Sequence, residues 1–519
     1  MGLKARQSCL LGLVIALCAA ATAQEAKLVV HTQSGWVRGV IEGNIRAFRA
    51  IPFAAPPLGD LRWRPPQPPI PWSGIRDASS FTSKCVQIAF GGILTGNEDC
   101  LVLNVFTSSD LKQEEDEGGE DDGQPVMVFF HGGGNQRGSS QAPLFDDPGF
   151  AAHGVVAVTA EYRLNALGFF AHPLLTAEGG GSSGNYGLMD QIAALRWVKH
   201  NIQAFGGDQG RVMVFGQSSG GVDVESILTS PAARGLFSRA GIESAGFLAG
   251  ETATLAQLET IDAPLVALVG CDKAADVLAC MRGIPADVLV TVTNQNALLM
   301  AGAIEPRVLP VDPFVVLERY GSPVPLLIGS TREESTGIVD DATMPLDVNQ
   351  YIATVHSEFD SFGPGVADKV LSFYPVSAYD SPIYALIAVD SDFAITCAAR
   401  DVARVALGES PVWRYLFTHR VENDPYLNAQ RAFHTEELYF LFGHPDYLAT
   451  PSADEIELSN LLINYWTRFA ASGDPNGPDD PHWRRYGHAD HILQLDEPTK
   501  TITGYHNPQC DYFTTLLSP

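Results

Sequence analysis

Basic residues are scarce in this chain of 519 residues. Lysine and arginine total 33 against 60 aspartates and glutamates, which gives a formal net charge of −27 at pH 7. So acidic a surface repels phosphate backbones and anionic membrane faces, which argues against binding to nucleic acids or to anionic lipids. The composition, 45% hydrophobic and 18% charged, is typical of a soluble globular protein and excludes disorder, collagen and coiled coil.

Long apolar runs are missing beyond the N-terminus. Residues 1–23 begin with two basic side chains, continue in an apolar run over residues 10–20 and end in an A-x-A cleavage site. This pattern predicts a cleavable signal peptide. A membrane anchor is the alternative, but the run is too short to span about 30 Å of hydrocarbon comfortably and no stop-transfer pattern follows. The chain also lacks any Asn-x-Ser/Thr acceptor, which favours a bacterial source and a secreted or periplasmic location.

Cysteines are few, eight in all, and two of them lie in the leader. The remaining six are an even number in a chain bound for an oxidising compartment, so disulfides are expected. Six cysteines allow 15 pairings, and buried free thiols are the alternative. Proximity in the sequence favours one set, namely Cys85 with Cys100, Cys271 with Cys280, and Cys397 with Cys510.

Short, continuously apolar runs recur along the chain. They read as strands covered on both faces and lie at residues 126–130, 155–158, 212–215 and 324–328. Between them, residues 188–205 carry apolar side chains at helical spacing. Alternating strands and helices predict an α/β fold with a large, mostly parallel central sheet and helices on both faces, and residues 36–48 predict an antiparallel hairpin that joins it.

The length alone would suggest about three domains of roughly 150 residues. No internal repeat or shift in composition marks a boundary, however, so we expect a single domain over residues 24–519. One acidic insert interrupts it at residues 114–123, where seven carboxylates cannot be buried. A solvated, flexible loop is the expected structure of this insert, and a cation-binding or partner-binding tail is the alternative.

Two glycine motifs follow predicted strands and carry the chemistry. The sequence G-x-S-x-G at residues 216–220 follows the strand at 212–215, and its context predicts a sharp turn that exposes Ser218 at the carboxyl edge of the sheet. The sequence His-Gly-Gly-Gly at residues 131–134 follows the strand at 126–130. Glycines there let successive backbone N–H groups converge on one oxygen, as an oxyanion hole requires, with the N–H of Ser219 as a further donor. A plain flexible turn is the alternative for each.

A serine nucleophile needs a base and a group that orients the base. Downstream of Ser218, two carboxylates, Glu333 and Glu334, follow the strand at 324–328. Further on, His434 lies in the sequence Ala-Phe-His-Thr-Glu-Glu. The order serine, acid, histidine is that of an α/β-hydrolase.

The chain resembles the type-B carboxylesterases of the carboxylesterase/cholinesterase family, which have the α/β-hydrolase fold. The resemblance covers nearly the whole chain after the leader. Besides the two glycine motifs, it is carried by the stretches 47–54, 98–105, 162–169, 184–191 and 205–208.

The resemblance implies roles for individual residues. Ser218 would be the nucleophile, His434 the general base and Glu334 the acid that orients it, since Glu333 falls where the family usually has Asp. The oxyanion donors would be Gly133, Gly134 and Ser219. The family's three disulfides correspond to Cys85–Cys100, Cys271–Cys280 and Cys397–Cys510. No cofactor and no metal are implied.

Departures from the family pattern limit the range of esters that we expect as substrates. Gln217 stands where a Glu is common, which weakens attraction for a cationic ester, and the Cys85–Cys100 loop contains no Trp that could hold a quaternary ammonium by cation–π contact. Asn135 replaces a common aromatic and is expected to make the acyl pocket more polar. We therefore expect an uncharged small-molecule ester as substrate, with no nucleic-acid partner and no integral membrane segment.

Other functions of this fold are open. Amide, thioester or carbamate cleavage would use the same triad, and an extracellular lipase would differ only in its preference for an oil–water interface. A non-catalytic adhesion protein is a further alternative, because a fold does not by itself imply a function. The intact set of Ser218, Glu334 and His434 argues against it.

Overall fold

The computed structural model describes residues 28–109, 123–146, 148–246, 252–296, 301–337 and 340–517. The predicted signal peptide and residues 114–122 of the acidic insert lie outside these ranges. The strands, numbered in chain order, are β1 Val29–Thr32, β2 Gly35–Arg38, β3 Val40–Glu42, β4 Ile45–Pro52, β5 Ile75–Asp77, β6 Gln87–Ile88, β7 Leu94–Thr95, β8 Val102–Ser108, β9 Gln124–Phe130, β10 Val156–Ala160, β11 Gly207–Gln217, β12 Arg239–Glu243, β13 Ala253–Thr254, β14 Ala303–Ile304, β15 Leu326–Thr331, β16 Val412–Phe417, β17 His491–Leu495 and β18 Lys500–Thr503.

Helices connect these strands. The α-helices span Asn165–Phe169, Pro173–Glu178, Tyr186–Asn201, Ser219–Thr229, Leu255–Asp262, Pro264–Leu268, Val277–Gly283, Ala286–Gln295, Pro313–Tyr320, Val348–Phe359, Val366–Phe373, Pro382–Ser391, Cys397–Val405, Pro425–Gln430, Glu436–Leu441, Ala453–Ser472 and Asn507–Leu517. Short 3₁₀ turns span Gly59–Leu61, Pro143–Phe145, Gly149–His153, Ile202–Phe205, Pro231–Ala233, Asp360–Phe362, Val376–Ala378 and Pro445–Tyr447, and a π turn spans Asp392–Thr396.

One large sheet organises the molecule. Its strand order is β18-β17-β16-β15-β12-β11-β9-β10-β8-β4-β3. The seven strands from β17 to β10 pair in parallel, and the strands at the two edges pair antiparallel. The carboxyl ends of the parallel strands therefore meet along one edge, which is where side chains from distant parts of the sequence can come together.

Both faces of the sheet are covered, as the continuous apolar runs predict. Along β9, Val126, Val128 and Phe130 belong to one buried cluster, while Met127 and Phe129 belong to another on the opposite face. The helices Tyr186–Asn201 and Ser219–Thr229 supply apolar side chains to the first cluster, and the helix Ala453–Ser472 supplies them to the second. Alternating side chains of one strand thus pack against two helical layers, one on each face of the sheet.

The predicted elements differ from the observed ones mainly at their ends. Strand β15 begins at Leu326, because Pro325 has no N–H to donate to a neighbouring strand. The predicted helix over 188–205 is α-helical over Tyr186–Asn201 and then tightens to a 3₁₀ turn. The predicted hairpin is shared between two sheets, since β2 pairs with β1 and β5, whereas β3 and β4 form an antiparallel pair at the edge of the large sheet.

Three disulfides link segments outside the sheet. They join Cys85 to Cys100, Cys271 to Cys280 and Cys397 to Cys510, the pairing that the family resemblance implies. Within the described ranges, the segment Pro382–Val405 is the one continuous helix that is long and apolar enough to cross a bilayer, and 61% of its most apolar window is buried inside the protein.

Candidate active site

Ser218 lies at a sharp turn between a strand and a helix. Strand β11 ends at Gln217 and the helix Ser219–Thr229 begins directly afterwards. Ser218 has φ 57° and ψ −130°, a conformation that L-residues rarely adopt. Its N–H donates to the carbonyl oxygen of Glu243 on β12, at 2.9 Å. The neighbouring strand therefore holds the serine in this strained position, as a nucleophile elbow requires.

Close backbone approaches explain the glycines on either side of Ser218. A Cβ placed on Gly220 would lie 2.2 Å from the carbonyl oxygen of Phe130, and one on Gly216 would lie 2.4 Å from the carbonyl oxygen of Gly220. Any side chain at either position would force the helix away from the end of β9. The G-x-S-x-G pattern is thus a packing requirement of the turn.

His434 and Glu334 form a buried hydrogen-bonded pair. The imidazole Nδ1 lies 2.6 Å from Oε2 of Glu334. The other carboxylate oxygen accepts the backbone N–H of Thr331 at 2.6 Å, which fixes the carboxylate plane. Glu334 is fully buried and His434 is 8% exposed. A carboxylate on Nδ1 assigns the proton to that nitrogen and leaves the Nε2 lone pair free to accept.

Two loop segments lie side by side and bring this pair together. The N–H of Glu333 donates to the carbonyl oxygen of Ala432 at 3.0 Å, and the N–H of His434 donates to that of Thr336 at 3.4 Å. The end of β15 is thereby aligned with the segment that precedes the helix Glu436–Leu441. This alignment places residues 100 positions apart in contact.

The same alignment turns Glu333 away from the histidine. Its carboxylate lies 2.8 Å from Arg332 and 3.7 Å from Arg431, and it accepts the backbone N–H of Ala432 at 3.2 Å. Of the two adjacent carboxylates that the sequence offers, the structure therefore places Glu334 on His434 and gives Glu333 a structural set of partners.

Gln217 links the histidine to the serine turn. Its side-chain nitrogen lies 3.1 Å from Nε2 of His434, and the residue is 2% exposed. Because Nδ1 carries the proton, the amide donates to the Nε2 lone pair. This contact puts the base end of His434 directly beside the residue that precedes Ser218.

The predicted oxyanion loop packs on the serine turn. A Cβ on Gly132 would lie 2.8 Å from the Cβ of Ser218. Within the described part of the chain, the N–H groups of Gly133 and Gly134 donate to no other protein atom. The N–H of Ser219 is in the first turn of its helix, where backbone donors have no intrahelical partner. Three backbone donors beside Ser218 are therefore available to a ligand.

A buried polar network holds this loop from beneath. Asn135, at φ 55°, donates its side-chain amide to Asp223 at 3.1 Å, and its backbone N–H donates to Oγ of Ser219, also at 3.1 Å. Gln191 donates to the other oxygen of Asp223 at 2.7 Å, and burial raises the pKa of Asp223 to about 7. The side chain of Asn135 is thus turned into the scaffold, which differs from the sequence-based expectation that it lines the acyl pocket. Its amide supports the loop because the buried carboxyl group of Asp223 needs a hydrogen-bond donor.

Further carboxylates lie buried near Glu334 and the turn at Ser218. Glu243 accepts the indole N–H of Trp466 at 2.6 Å, and Glu437 accepts the hydroxyl of Ser244 at 3.1 Å. Burial raises the pKa of Glu243 to about 8, and it raises the pKa of Glu437 well above its usual value, with the charges of Glu334 and Glu243 adding to the effect. Sequence reasoning missed this cluster, although Glu243 ends an apolar strand and Glu437 follows His434 by three residues.

Comparisons with known proteins identify the family of the chain. Residues 26–513 match the model of the carboxylesterase family. The chain is 34% identical to the fumonisin B1 esterase of Sphingopyxis macrogoltabida over 92% of this chain and 88% of that protein. It is also 34% identical to the para-nitrobenzyl esterase of Bacillus subtilis over 88% of this chain and 92% of that protein.

A solved structure of a PNB esterase superimposes with a TM-score of 0.79 at 30% sequence identity, covering 94% of this chain and all of that one. The match confirms the fold class that the strand and helix pattern predicts. The chain therefore belongs to the carboxylesterase family and is a carboxylic ester hydrolase with the α/β-hydrolase fold.

Proposed function

We propose that the chain cleaves esters through an acyl-enzyme on Ser218, with His434 as general base and Glu334 as the acid that orients it. The observation that carries this proposal is the position of His434, whose Nδ1 contacts Glu334 while its Nε2 contacts the residue that precedes Ser218. A serine hydrolase needs this order of groups, because the base must accept a proton on one side while the acid fixes its tautomer on the other.

In the first half-reaction, Oγ of Ser218 attacks the ester carbonyl carbon and its proton passes to Nε2 of His434. The Gln217 amide occupies that lone pair in the resting structure, so it has to give way as the serine proton arrives. The carbonyl oxygen gains negative charge and accepts the N–H groups of Gly133, Gly134 and Ser219. His434 then returns the proton to the departing alcohol, and the acyl group stays on Ser218.

In the second half-reaction, His434 takes a proton from water, and the resulting hydroxide attacks the acyl carbonyl. The carbon–oxygen bond to Ser218 breaks, the serine recovers the proton from His434, and the carboxylic acid leaves. Glu334 stays ionised throughout, since its role is to accept the Nδ1 proton and to stabilise the imidazolium.

The same proposal extends to the setting of the enzyme. Three disulfides fit an oxidising compartment, so we propose a single domain over residues 24–519 that is secreted or periplasmic in a bacterium. A thioester is the second substrate class that we propose to test, because one relative, 31% identical, is named a medium-chain fatty acyl-CoA hydrolase. Two features of the sequence disfavour cationic esters: Gln217 stands where the family commonly has Glu, and the Cys85–Cys100 loop contains no Trp.

Removing the nucleophile tests the mechanism. Ser218→Ala should lower kcat for p-nitrophenyl acetate by about 10⁶-fold, the size of loss that removal of a serine nucleophile produces. Ser372→Ala is the matched control, since Ser372 is an exposed serine on a different helix. A radiolabelled organophosphate should label the parent protein once, at Ser218, and leave the Ser218→Ala variant unlabelled. A variant that kept the parent rate would contradict the assignment.

A further inference from the structure

A cavity of about 570 Å³ lies beside the oxyanion loop. One wall comes from the disulfide-closed loop between Cys85 and Cys100, and the other comes from residues 137–143, which follow the three glycines. The N–H of Arg137 donates to the carbonyl oxygen of Gly133 at 3.1 Å, so the second wall is hydrogen-bonded to the oxyanion loop. A group bound there would lie next to the loop that carries the predicted oxyanion donors.

The charge of the cavity differs from that of the protein as a whole. Among the described residues, its lining includes the two cations Lys84 and Arg137 and no aspartate or glutamate. The whole chain, by contrast, has 60 acidic residues and 33 basic ones. Two cations with no acid in one small lining run against the overall charge of the chain, and they give this cavity a positive field.

Neither cation is paired with a carboxylate in the part of the protein that the structure describes. Within the described ranges, Lys84 and Arg137 make no ion pair with a carboxylate, whereas Arg49, Arg62 and Arg163 each do so at 2.7 Å or less. The Arg137 guanidinium lies 5.0 Å from the centre of the Phe90 ring, a cation–π contact that holds the side chain in place without satisfying its charge.

A further donor in the lining also lacks a partner. The side-chain nitrogen of Gln141 is buried and has no hydrogen-bond partner in the described part of the protein. Buried polar groups in proteins are almost always paired, so a donor beside two cations that has no acceptor in the described part of the protein is suited to an acceptor on a ligand.

One carboxylate lies behind the wall and has to be weighed against these donors. Glu161 is fully buried and does not line the cavity. It accepts the hydroxyl of Ser139 at 2.6 Å, the backbone N–H of Ser140 at 2.8 Å and the backbone N–H of Cys85 at 3.3 Å. Its charge is held by these internal donors, so the cations that face the cavity stay available.

We propose that this cavity binds a carboxylate carried by the ester substrate, so that the enzyme prefers esters with a second, ionised carboxyl group. The inference rests on the proposed function, and it replaces the sequence-based expectation of an uncharged ester. A carboxylate suits the donors present, because arginine offers a planar pair of N–H groups and both the lysine and the glutamine amide add single donors.

The test compares esters matched in size. Ethyl butyrate is neutral, monoethyl succinate carries a carboxylate on the acyl side, and acetoxyacetate, compared with ethyl acetate, carries one on the alcohol side. Hydrolysis is followed by titration of the acid released. The parent enzyme should show a higher kcat/KM for one of the anionic esters than for its neutral counterpart, and the arm that responds identifies which side of the ester faces the cavity.

Removing both cations should abolish this preference. In Lys84→Gln/Arg137→Gln the ratio of kcat/KM for the anionic ester to that for its neutral counterpart should fall at least about tenfold, mainly through KM, as expected for the loss of two close charges. Arg137→Lys should keep most of the ratio. Arg484→Gln/Lys500→Gln, at two exposed positions outside the cavity lining, changes the net charge equally and should leave the ratio unaltered.

The outcomes separate the two proposals. A double variant that is labelled by an organophosphate as fully as the parent has a folded site, so an unchanged ratio in that variant would overturn the carboxylate proposal alone. Equal losses on anionic and neutral esters would overturn it as well. If the parent hydrolysed none of the esters, the proposed function itself would fail.

Discussion

The two sides of the proposed active site use different chemical groups, backbone N–H groups on one side and side chains on the other. One side would receive the negatively charged oxygen of the substrate and is called the acceptor side; there Gly133, Gly134 and Ser219 present backbone N–H groups. On the base side, Gln217, Glu334 and His434 contribute side chains that contact one another at 2.6 and 3.1 Å. The acceptor side comes from two short glycine motifs at the ends of β9 and β11, whereas the base side joins segments that lie 217 and 100 residues apart.

This difference decides how each side can fail. A side chain on the base side can be replaced while the backbone stays in place, so its chemical role can be removed cleanly. A backbone donor cannot be deleted by substitution, and the acceptor side fails only when the loop is displaced. Point substitutions should therefore separate chemistry from geometry on the base side and test geometry alone on the acceptor side.

Of the two sides, the base side should show the larger effect, through its acid. In Glu334→Gln, the amide that replaces the carboxylate can present an N–H to Nδ1, which favours the wrong imidazole tautomer, and it no longer stabilises the imidazolium. We expect kcat for p-nitrophenyl acetate to fall by about 10⁴-fold with little change in KM. Steady-state kinetics together with thermal unfolding would show whether the loss is chemical.

The adjacent carboxylate supplies the matched control. Glu333→Gln alters the contacts to Arg332 and Arg431 but touches neither His434 nor Ser218. We expect it to retain activity within about tenfold, because the glutamine keeps an oxygen for the backbone N–H of Ala432 and leaves the contact between Glu334 and His434 in place. If Glu333→Gln lost as much activity as Glu334→Gln, the assignment of the acid would be wrong.

The acceptor side should yield a smaller and more position-dependent loss. A Cβ on Gly133 would lie 2.2 Å from the carbonyl oxygen of Arg137, and its φ of 117° is unfavourable for alanine. On Gly134, at φ 66°, an added Cβ meets no heavy atom within 4 Å. Gly133→Ala should therefore displace the donor and lower kcat by about 10²–10³-fold.

Gly134→Ala is the comparison. Alanine in the left-handed region costs about 1–2 kcal/mol but creates no clash here, so the loss of activity should stay within about tenfold. Crystal structures of both variants with a bound phosphonate would show whether the N–H groups still reach the oxyanion. Equal losses in the two variants would show that the loop does not depend on the close contact between Gly133 and Arg137.

The two sides also differ in how much of them the sequence reveals. Each glycine motif is contiguous and follows an apolar strand, so Ser218, Gly133 and Gly134 can be located from local pattern alone. Spacing leaves Glu333 and Glu334 equivalent as candidates, and it is the family resemblance that favours Glu334. The structure distinguishes them by pairing residue 333 with residues 432 and 433, a long-range register that no local pattern encodes.

The fold shows the same limit. Continuous apolar runs predict the parallel centre of the sheet, because strands buried on both faces have no polar side. The edges are less predictable, since residues 36–48 divide between two sheets through pairing with Ile75–Asp77, which lies far along the chain. Gln217, Asn135 and Glu243 were also beyond prediction in their contacts, because each meets partners on other elements: His434, Asp223 and Trp466.

A further expected effect concerns stability and not rate, and it tests the protonated carboxyl buried behind the base side. Burial raises the pKa of Glu243 from 4.5 to about 8, so the folded state holds a proton that the unfolded chain releases above about pH 4.5. Between these pH values the folded state therefore binds more protons than the unfolded state. The free energy of unfolding falls as the pH rises from about 4.5 through about 8, by up to about 1.4 kcal/mol for each unit of pKa difference.

Glu243→Gln removes this titration while keeping an oxygen that can accept the Trp466 N–H. The free energy of unfolding from urea titrations should therefore fall less steeply between pH 5 and pH 8 in the variant than in the parent, within the window set by the raised pKa. Glu318→Gln, at an exposed carboxylate on the helix Pro313–Tyr320, controls for the general loss of an acid. Parallel pH curves for the parent and Glu243→Gln would mean that Glu243 is ionised in the folded state. The core behind the base side would then hold a negative charge in place of a protonated carboxyl group.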